Sequence, residues 1–118
     1  AEWRKKAHMH VEALNHAVAN VPAELLRMHL CWGNYEGPHP CDVPLADVID
    51  IVFKAKPMAI ALEAANPRHA HEWKVFETVK LPEGKVLIPG VLESKTNFIE
   101  HPELVAQRIG GIKVMLRE

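Results

Sequence analysis

The sequence predicts an α/β fold with parallel strands, and three observations carry that expectation. Amphipathic stretches at helical spacing alternate with short apolar runs. The apolar runs end at Cys31, Glu63 and Glu93, which lie 32 and 30 residues apart, close to the roughly 30 residues of one strand-plus-helix unit. With 118 residues, 48% hydrophobic and 25% charged, the chain has the composition of one folded domain with a core and not that of a disordered segment. The order helix, strand, helix, strand, helix, strand, helix predicts parallel strands joined by right-handed crossovers.

Residues 3–20 place Ala7, Val11, Leu14 and Val18 at helical spacing with Lys5, Lys6 and Glu12 between them, which predicts an amphipathic helix that stops near Asn20 to Pro22. The run from Glu24 to Leu30, broken by Arg27 and His29, predicts a first strand, and GNYEGPHPCD a long loop. Asp42 is suited to cap a helix with Pro44 in its first turn, whose buried stripe is Leu45, Val48, Ile49 and Val52 up to about Lys56. Met58 to Leu62 predicts the second strand. After EAANPR a helix from about His69 to Lys80 is expected to bury Trp73, Phe76 and Val79, with LPEG as its stop. Val86, Leu87 and Ile88 predict the third strand. The last helix is expected to start with Pro102, to bury Leu104, Val105 and Ile109, and to be interrupted by Gly110 and Gly111. Beyond them Ile112, Val114 and Leu116 alternate like the start of a fourth strand, and a helical tail fits the same residues.

Charge and composition exclude several function classes. Fourteen basic and 15 acidic residues give a net charge of −1 with eight histidines neutral, which argues against charge-driven binding of nucleic acid or an anionic membrane. No apolar run approaches the roughly 20 residues that span a bilayer, and the start AEWRKKAHMH carries no signal-peptide apolar core. Cys31 and Cys41 are too few for a secreted disulfide scaffold, so reduced thiols in a cytoplasm are expected. A Gly-rich phosphate loop, a G-x-S-x-G elbow and a paired-cysteine zinc-finger motif are all missing from the sequence.

The chemistry-bearing residues cluster at strand ends. In a strand, residues two apart point to the same side, so His29 and Cys31 present an imidazole and a thiol together. Glu63 falls at the same end of the next strand. Parallel neighbours lie about 5 Å apart, so N, S and O donors converge there, a set that zinc accepts without redox chemistry. An H-x-C pair alone also fits a small buried cysteine beside a hydrogen-bonded histidine. The position at the carboxyl ends of parallel strands favours a ligand pair, because open α/β sheets and barrels keep their chemistry there. Trp32 and Tyr35 are either a substrate wall or packing. Cys41, ten residues after Cys31, fits either a missing metal ligand or, the better reading, a spectator in the loop, and His8, His10 and His16 read as solvated residues of the first helix. Arg68, His69 and His71 fit either contact with an anionic ligand or helix capping.

Three segments, RMHLCWGNYEGPH, IALEAANPRHAHEW and KVLIPGVLESKTNFIEHPELVAQRI, together resemble the C-terminal catalytic barrel of the cobalamin-independent methionine synthase family, particularly its single-barrel relatives. The resemblance covers roughly residues 20–109. It implies a (βα)8 TIM-type barrel in which Zn²⁺ activates a substrate thiol such as homocysteine to accept a methyl group from methyltetrahydrofolate or a related donor. Carried over by motif, His29, Cys31 and Glu63 match three zinc ligands, and the family's further cysteine ligand follows a later strand. A complete barrel needs about 250 residues, so this chain is expected to be a partial barrel of about three to four βα units, a fragment or truncated homologue forming one segment over 1–118.

Where methionine synthases carry an Asp and, two residues on, a His, this chain reads Glu93-Ser94-Lys95. Glu93 and Lys95 are therefore the candidate catalytic acid and substrate-binding residues, with a solvated charge or a mutual ion pair as the bland reading of each. The altered pair bears on the folate donor and leaves thiol activation by zinc unaffected. Two alternatives stand beside methyl transfer: alkyl transfer to another thiol such as coenzyme M, and a catalytically silent metal-binding fragment. A three-strand piece of a parallel sheet exposes an apolar wall and two edges, which predicts self-association into a homo-oligomer.

Overall fold

The computed structural model describes residues 2–115. Helix α1 (Glu2–Ala17) and a 3-10 turn (Ala23–Leu25) lead into strand β1 (Arg27–Leu30). Helix α2 (Leu45–Val52), strand β2 (Ala59–Leu62), a 3-10 segment (Glu72–Glu77), strand β3 (Val86–Pro89) and helix α3 (Pro102–Met115) follow. The strands form an open parallel sheet in the order β1-β2-β3, the only sheet among the described residues.

The sheet is paired in register. Arg27, Ala59 and Val86 form one row, and Leu30, Leu62 and Pro89 the last. Because side chains alternate across a strand, one face carries Met28, Leu30, Ile60, Leu62 and Leu87. It packs under α2, whose Leu45, Ile49 and Val52 form the core with Ile60 and Leu62, while Val75, Phe76 and Val79 close the side. Ile60 is fully buried. The opposite face presents Arg27, His29, Ala61, Val86 and Ile88, of which Val86 and Ile88 are 44% and 39% exposed. Ala59 alone in those rows is buried.

Several expectations about individual elements are corrected. The first strand is shorter than Glu24 to Leu30, because Leu25 N and Leu26 N donate to Pro22 O and Ala23 O at 3.1 Å and curl its start into a turn. Asp42 does not cap α2. Pro44 holds the N-cap position, and the Glu72 carboxylate accepts from Leu45 N at 2.7 Å. The helix expected over 69–80 is a six-residue 3-10 segment in which Glu72, not an apolar residue, is buried and Trp73, Phe76 and Val79 are half-buried. Its aromatic and β-branched content makes a poor α-helix, and tying Glu72 to α2 fixes the short form.

α3 runs through Gly110 and Gly111 instead of stopping, so a helical tail replaces the fourth strand; Leu116 lies outside the described residues. A helical glycine costs about 1 kcal/mol relative to alanine, which lowers stability without forbidding the turn. Leu104 and Ile109 are exposed, contrary to the expected buried stripe, and only Val105 of the three is half-buried. α1 has no fully buried residue; Ala7, Val11 and Leu14 are half-buried. Polar ties hold it, with Arg4 Nη2 on Asp50 Oδ2 at 2.6 Å and Asn15 Nδ2 on Lys54 O at 2.9 Å.

The two faces of the sheet predict different costs of truncation. Ile60→Ala opens a cavity in the covered core and is expected to lower unfolding free energy by about 2–5 kcal/mol. Ile88→Ala on the uncovered face, in protein dilute enough to remain single chains, is expected to cost below about 1 kcal/mol. Urea denaturation of both variants reads the difference.

Candidate functional site

In-register pairing brings the three strand ends level, so Cys31, Glu63 and Gly90 leave the sheet side by side. Gly90 N donates to Leu62 O at 2.7 Å, and a Cβ on Gly90 would stand only 3.1 Å from that oxygen, so glycine permits the close approach of β3 to β2. A cavity of about 290 Å³ opens at these ends. His29, Cys31, Glu63, Glu93 and Lys95, the five residues singled out from the sequence, all line it, together with Gly33, Asn34 and Asn66 among others. His29 belongs to the uncovered face, in one row with Ala61 and Ile88.

The charges within this cavity are paired across strands. Lys95 Nζ lies 3.1 Å from Glu63 Oε1 and donates to Gly33 O at 2.9 Å, so one ammonium links the ends of all three strands. The ion pair that the sequence suggested between Glu93 and Lys95 is thus made by Lys95 with Glu63, while Glu93 Oε1 accepts from the backbone N of Lys95 at 2.7 Å. Glu93 N in turn donates to Glu100 Oε2 at 2.8 Å. Glu100 is held by Arg108 of α3, and Arg108 also donates to Val91 O at 2.7 Å. The Glu93 N–H and the Arg108 guanidinium hold the Glu100 carboxyl below its ordinary value. Glu63 Oε2 and Glu93 Oε2 are both buried with no hydrogen-bond partner among the described residues.

Tested against a zinc ion, the residues fit in kind. An imidazole, a thiol and a carboxylate with one unpartnered buried oxygen form the N, S and O set that zinc takes. Among the described residues no three His, Cys, Asp or Glu groups stand close enough together to hold an ion. Glu63 Oε1 is engaged by the ammonium of Lys95.

A second polar cluster was not foreseen from the sequence. His69 Nδ1 lies 2.9 Å from Glu72 Oε2, and His69 Nε2 lies 2.9 Å from Asp42 Oδ2. Asp42 Oδ2 also meets His39 Nδ1 at 2.9 Å, and His39 Nε2 reaches Tyr35 O at 2.6 Å. Trp32 stacks on His69 with ring centroids 4.0 Å apart and donates from Nε1 to Val43 O at 2.7 Å. This chain fastens the loop after β1, which supplies Cys31 and Gly33 to the cavity, to the segment after β2. The readable signal was the pair of i, i+3 spacings, His39 to Asp42 and His69 to Glu72.

The other sequence candidates are placed as follows. Arg68 Nη1 donates to Gly37 O at 3.0 Å and its N and Nε donate to Asn66 Oδ1, so it braces the same loop. His71 is exposed, as are His10 and His16 on α1, while His8 is half-buried. Trp32 packs; Tyr35 is 71% exposed. Cys41 is exposed and is not among the residues that line the cavity. No helix of the described residues is long and apolar enough to cross a membrane. Compared with protein-family models, curated proteins and solved structures, the chain matches none.

Burial pushes the Asp42 carboxyl up, but hydrogen bonds from His69 and His39 together outweigh it and hold the group below its ordinary value. A depressed carboxyl stabilises the fold above its unfolded value, near 4, and that contribution disappears as pH falls through the lower folded value. Asp42→Asn removes it. Thermal melts from pH 6 downward are expected to fall less steeply below about pH 4 in the variant than in the parent.

Proposed function

We propose that this chain forms part of a zinc-dependent thiol methyltransferase of the cobalamin-independent methionine synthase type. In this reading β1, β2 and β3 are three neighbouring strands of a partial (βα)8 barrel, and their uncovered face is the barrel's inner wall. The observation that carries it is the convergence of His29, Cys31, Glu63, Glu93 and Lys95 on one cavity at the carboxyl ends of parallel strands, where such folds keep their chemistry. The ordered strand-end motifs quoted from the sequence support the same reading.

His29, Cys31 and Glu63 would hold the zinc ion through nitrogen, sulfur and oxygen. When bound, zinc supplies the positive charge that keeps a substrate thiol, such as that of homocysteine, deprotonated at neutral pH, where a free thiol near pKa 8.5 is mostly protonated. The residues of the chain do the remaining work. Glu93, fixed through Glu100 and Arg108 and through Lys95 N, has no hydrogen-bond partner for Oε2 among the described residues. That oxygen is the place from which a proton passes to the leaving nitrogen of a methyltetrahydrofolate-type donor. In the metal-free chain the Lys95 ammonium rests between Glu63 and Gly33 O. Trp32 and His69 hold the β1 loop in place, which sets the position of Cys31.

The open face and the unpaired edges of β1 and β3 complete the proposal. Parallel sheets are normally covered on both faces, and in the isolated chain a second copy is the cover proposed here. Sedimentation at high micromolar concentration is expected to show a dimer or larger species, and a strictly monomeric boundary would count against it.

Zinc binding gives the direct test. Competition with a chromophoric chelator is expected to show one zinc per chain, with His29→Ala, Cys31→Ala and Glu63→Gln each binding at least about a hundredfold more weakly. Retention of parental affinity by the His29 and Cys31 variants would remove the assignment.

A further inference from the structure

We infer that Lys95 is the internal counter-ion of the metal-free site and competes with a divalent cation for Glu63. This rests on the zinc reading above and concerns what that reading leaves unassigned: why a lysine occupies the carboxylate expected to bind the ion. The Lys95 side chain is only 5% exposed, and that of Glu63 17%. Its ammonium is committed at both ends of its reach, to Glu63 Oε1 at 3.1 Å and to Gly33 O at 2.9 Å. The Glu63 carboxylate is therefore charge-compensated without a metal, while its second oxygen is buried with no hydrogen-bond partner among the described residues.

Two effects of opposite sign decide what Lys95 does to metal binding. A hydrogen-bond donor on the far oxygen of a ligating carboxylate orients it, which typically improves affinity by about 10–100-fold. Lys95 stands 3.1 Å from Glu63 Oε1, where such a donor would act, and brings a full positive charge there. Repulsion between a lysine ammonium and a divalent cation sharing one carboxylate, a few ångströms apart, is worth on the order of a thousandfold or more at a protein-like dielectric. The repulsion wins, so zinc binds after the ammonium leaves Glu63. Lysine is suited to leave, because its charge sits on a flexible four-carbon arm. Departure also breaks the bond to Gly33 O, the tie that runs from the loop after β3 to the loop after β1. Filling of the site and loosening of that bridge are then one event.

The test measures zinc affinity by chelator competition on the full chain, alongside thermal melting of the metal-free protein, for the parent, Lys95→Met, Lys95→Gln and Lys95→Arg. The Gln variant keeps a donor for Gly33 O without the charge, and guards against a Met variant that fails to fold. Both neutral variants are expected to bind zinc at least about tenfold more tightly than the parent and, free of metal, to melt lower, since each leaves a buried carboxylate uncompensated. Lys95→Arg retains the charge and is expected to stay within about threefold of the parent. Unchanged or weaker binding in both neutral variants, in a parent that loses zinc on His29→Ala or Cys31→Ala, overturns the inference and leaves the zinc reading standing. Failure of the parent and of every Lys95 variant to bind zinc overturns both.

Discussion

In-register parallel pairing of β1, β2 and β3 is the constraint on which the rest of this structure depends. It aligns Leu30, Leu62 and Pro89 in one row, so the three following segments start from a common rim. Parallel strands cannot be joined by tight turns, and the connections at this rim are accordingly long. Length gives them room to carry a thiol, two carboxylates and a lysine. The sheet provides the level and the imidazole of His29, and the segments leaving it provide the remaining groups.

Polar anchoring adds to apolar packing in holding those segments. Leu45, Ile49, Val52, Ile60 and Leu62 fasten α2 to the sheet, and Trp32 carries the loop after β1 onto that core. The rest of the loop is secured by hydrogen bonds: His69 lies between Asp42 and Glu72, Trp32 lies over His69, and Arg68 reaches Gly37 O. Glu72 serves twice, since its other oxygen accepts from Leu45 N at the start of α2. Such networks are favourable only when satisfied throughout, so truncating one member is felt by the loop, the helix and the 3-10 segment together.

Much of this was legible in the sequence where one physical rule dominates. The Leu45, Val48, Ile49 and Val52 spacing announced α2, and the short apolar runs with a period of about 30 residues announced parallel strands. The residues at the rim could be named because i and i+2 in a strand share a side. The rule failed where distant polar partners decide local shape. Residues 69–80 carry a passable helical pattern, yet Glu72 is drawn to α2 and His69 to Asp42, and a 3-10 segment results. Asp42 has the look of a cap, but its carboxylate serves two histidines, one of them 27 residues away. Lys95 stands out in the sequence, yet its choice of Glu63 over Glu93 depends on strand adjacency, which no local pattern contains.

The register has a further consequence, for how the chain reaches this state. The paired rows join Arg27 to Ala59 and Ala59 to Val86, so every interstrand bond closes a loop of roughly thirty residues. Loop-closure entropy must be overcome before any such bond forms, and topologies dominated by non-local pairs are slow to organise. α2, at eight residues, is too short to persist without the sheet and takes its stability from packing on Ile60 and Leu62. Helix and strands therefore depend on one another, and the rim exists only once all three strands are paired.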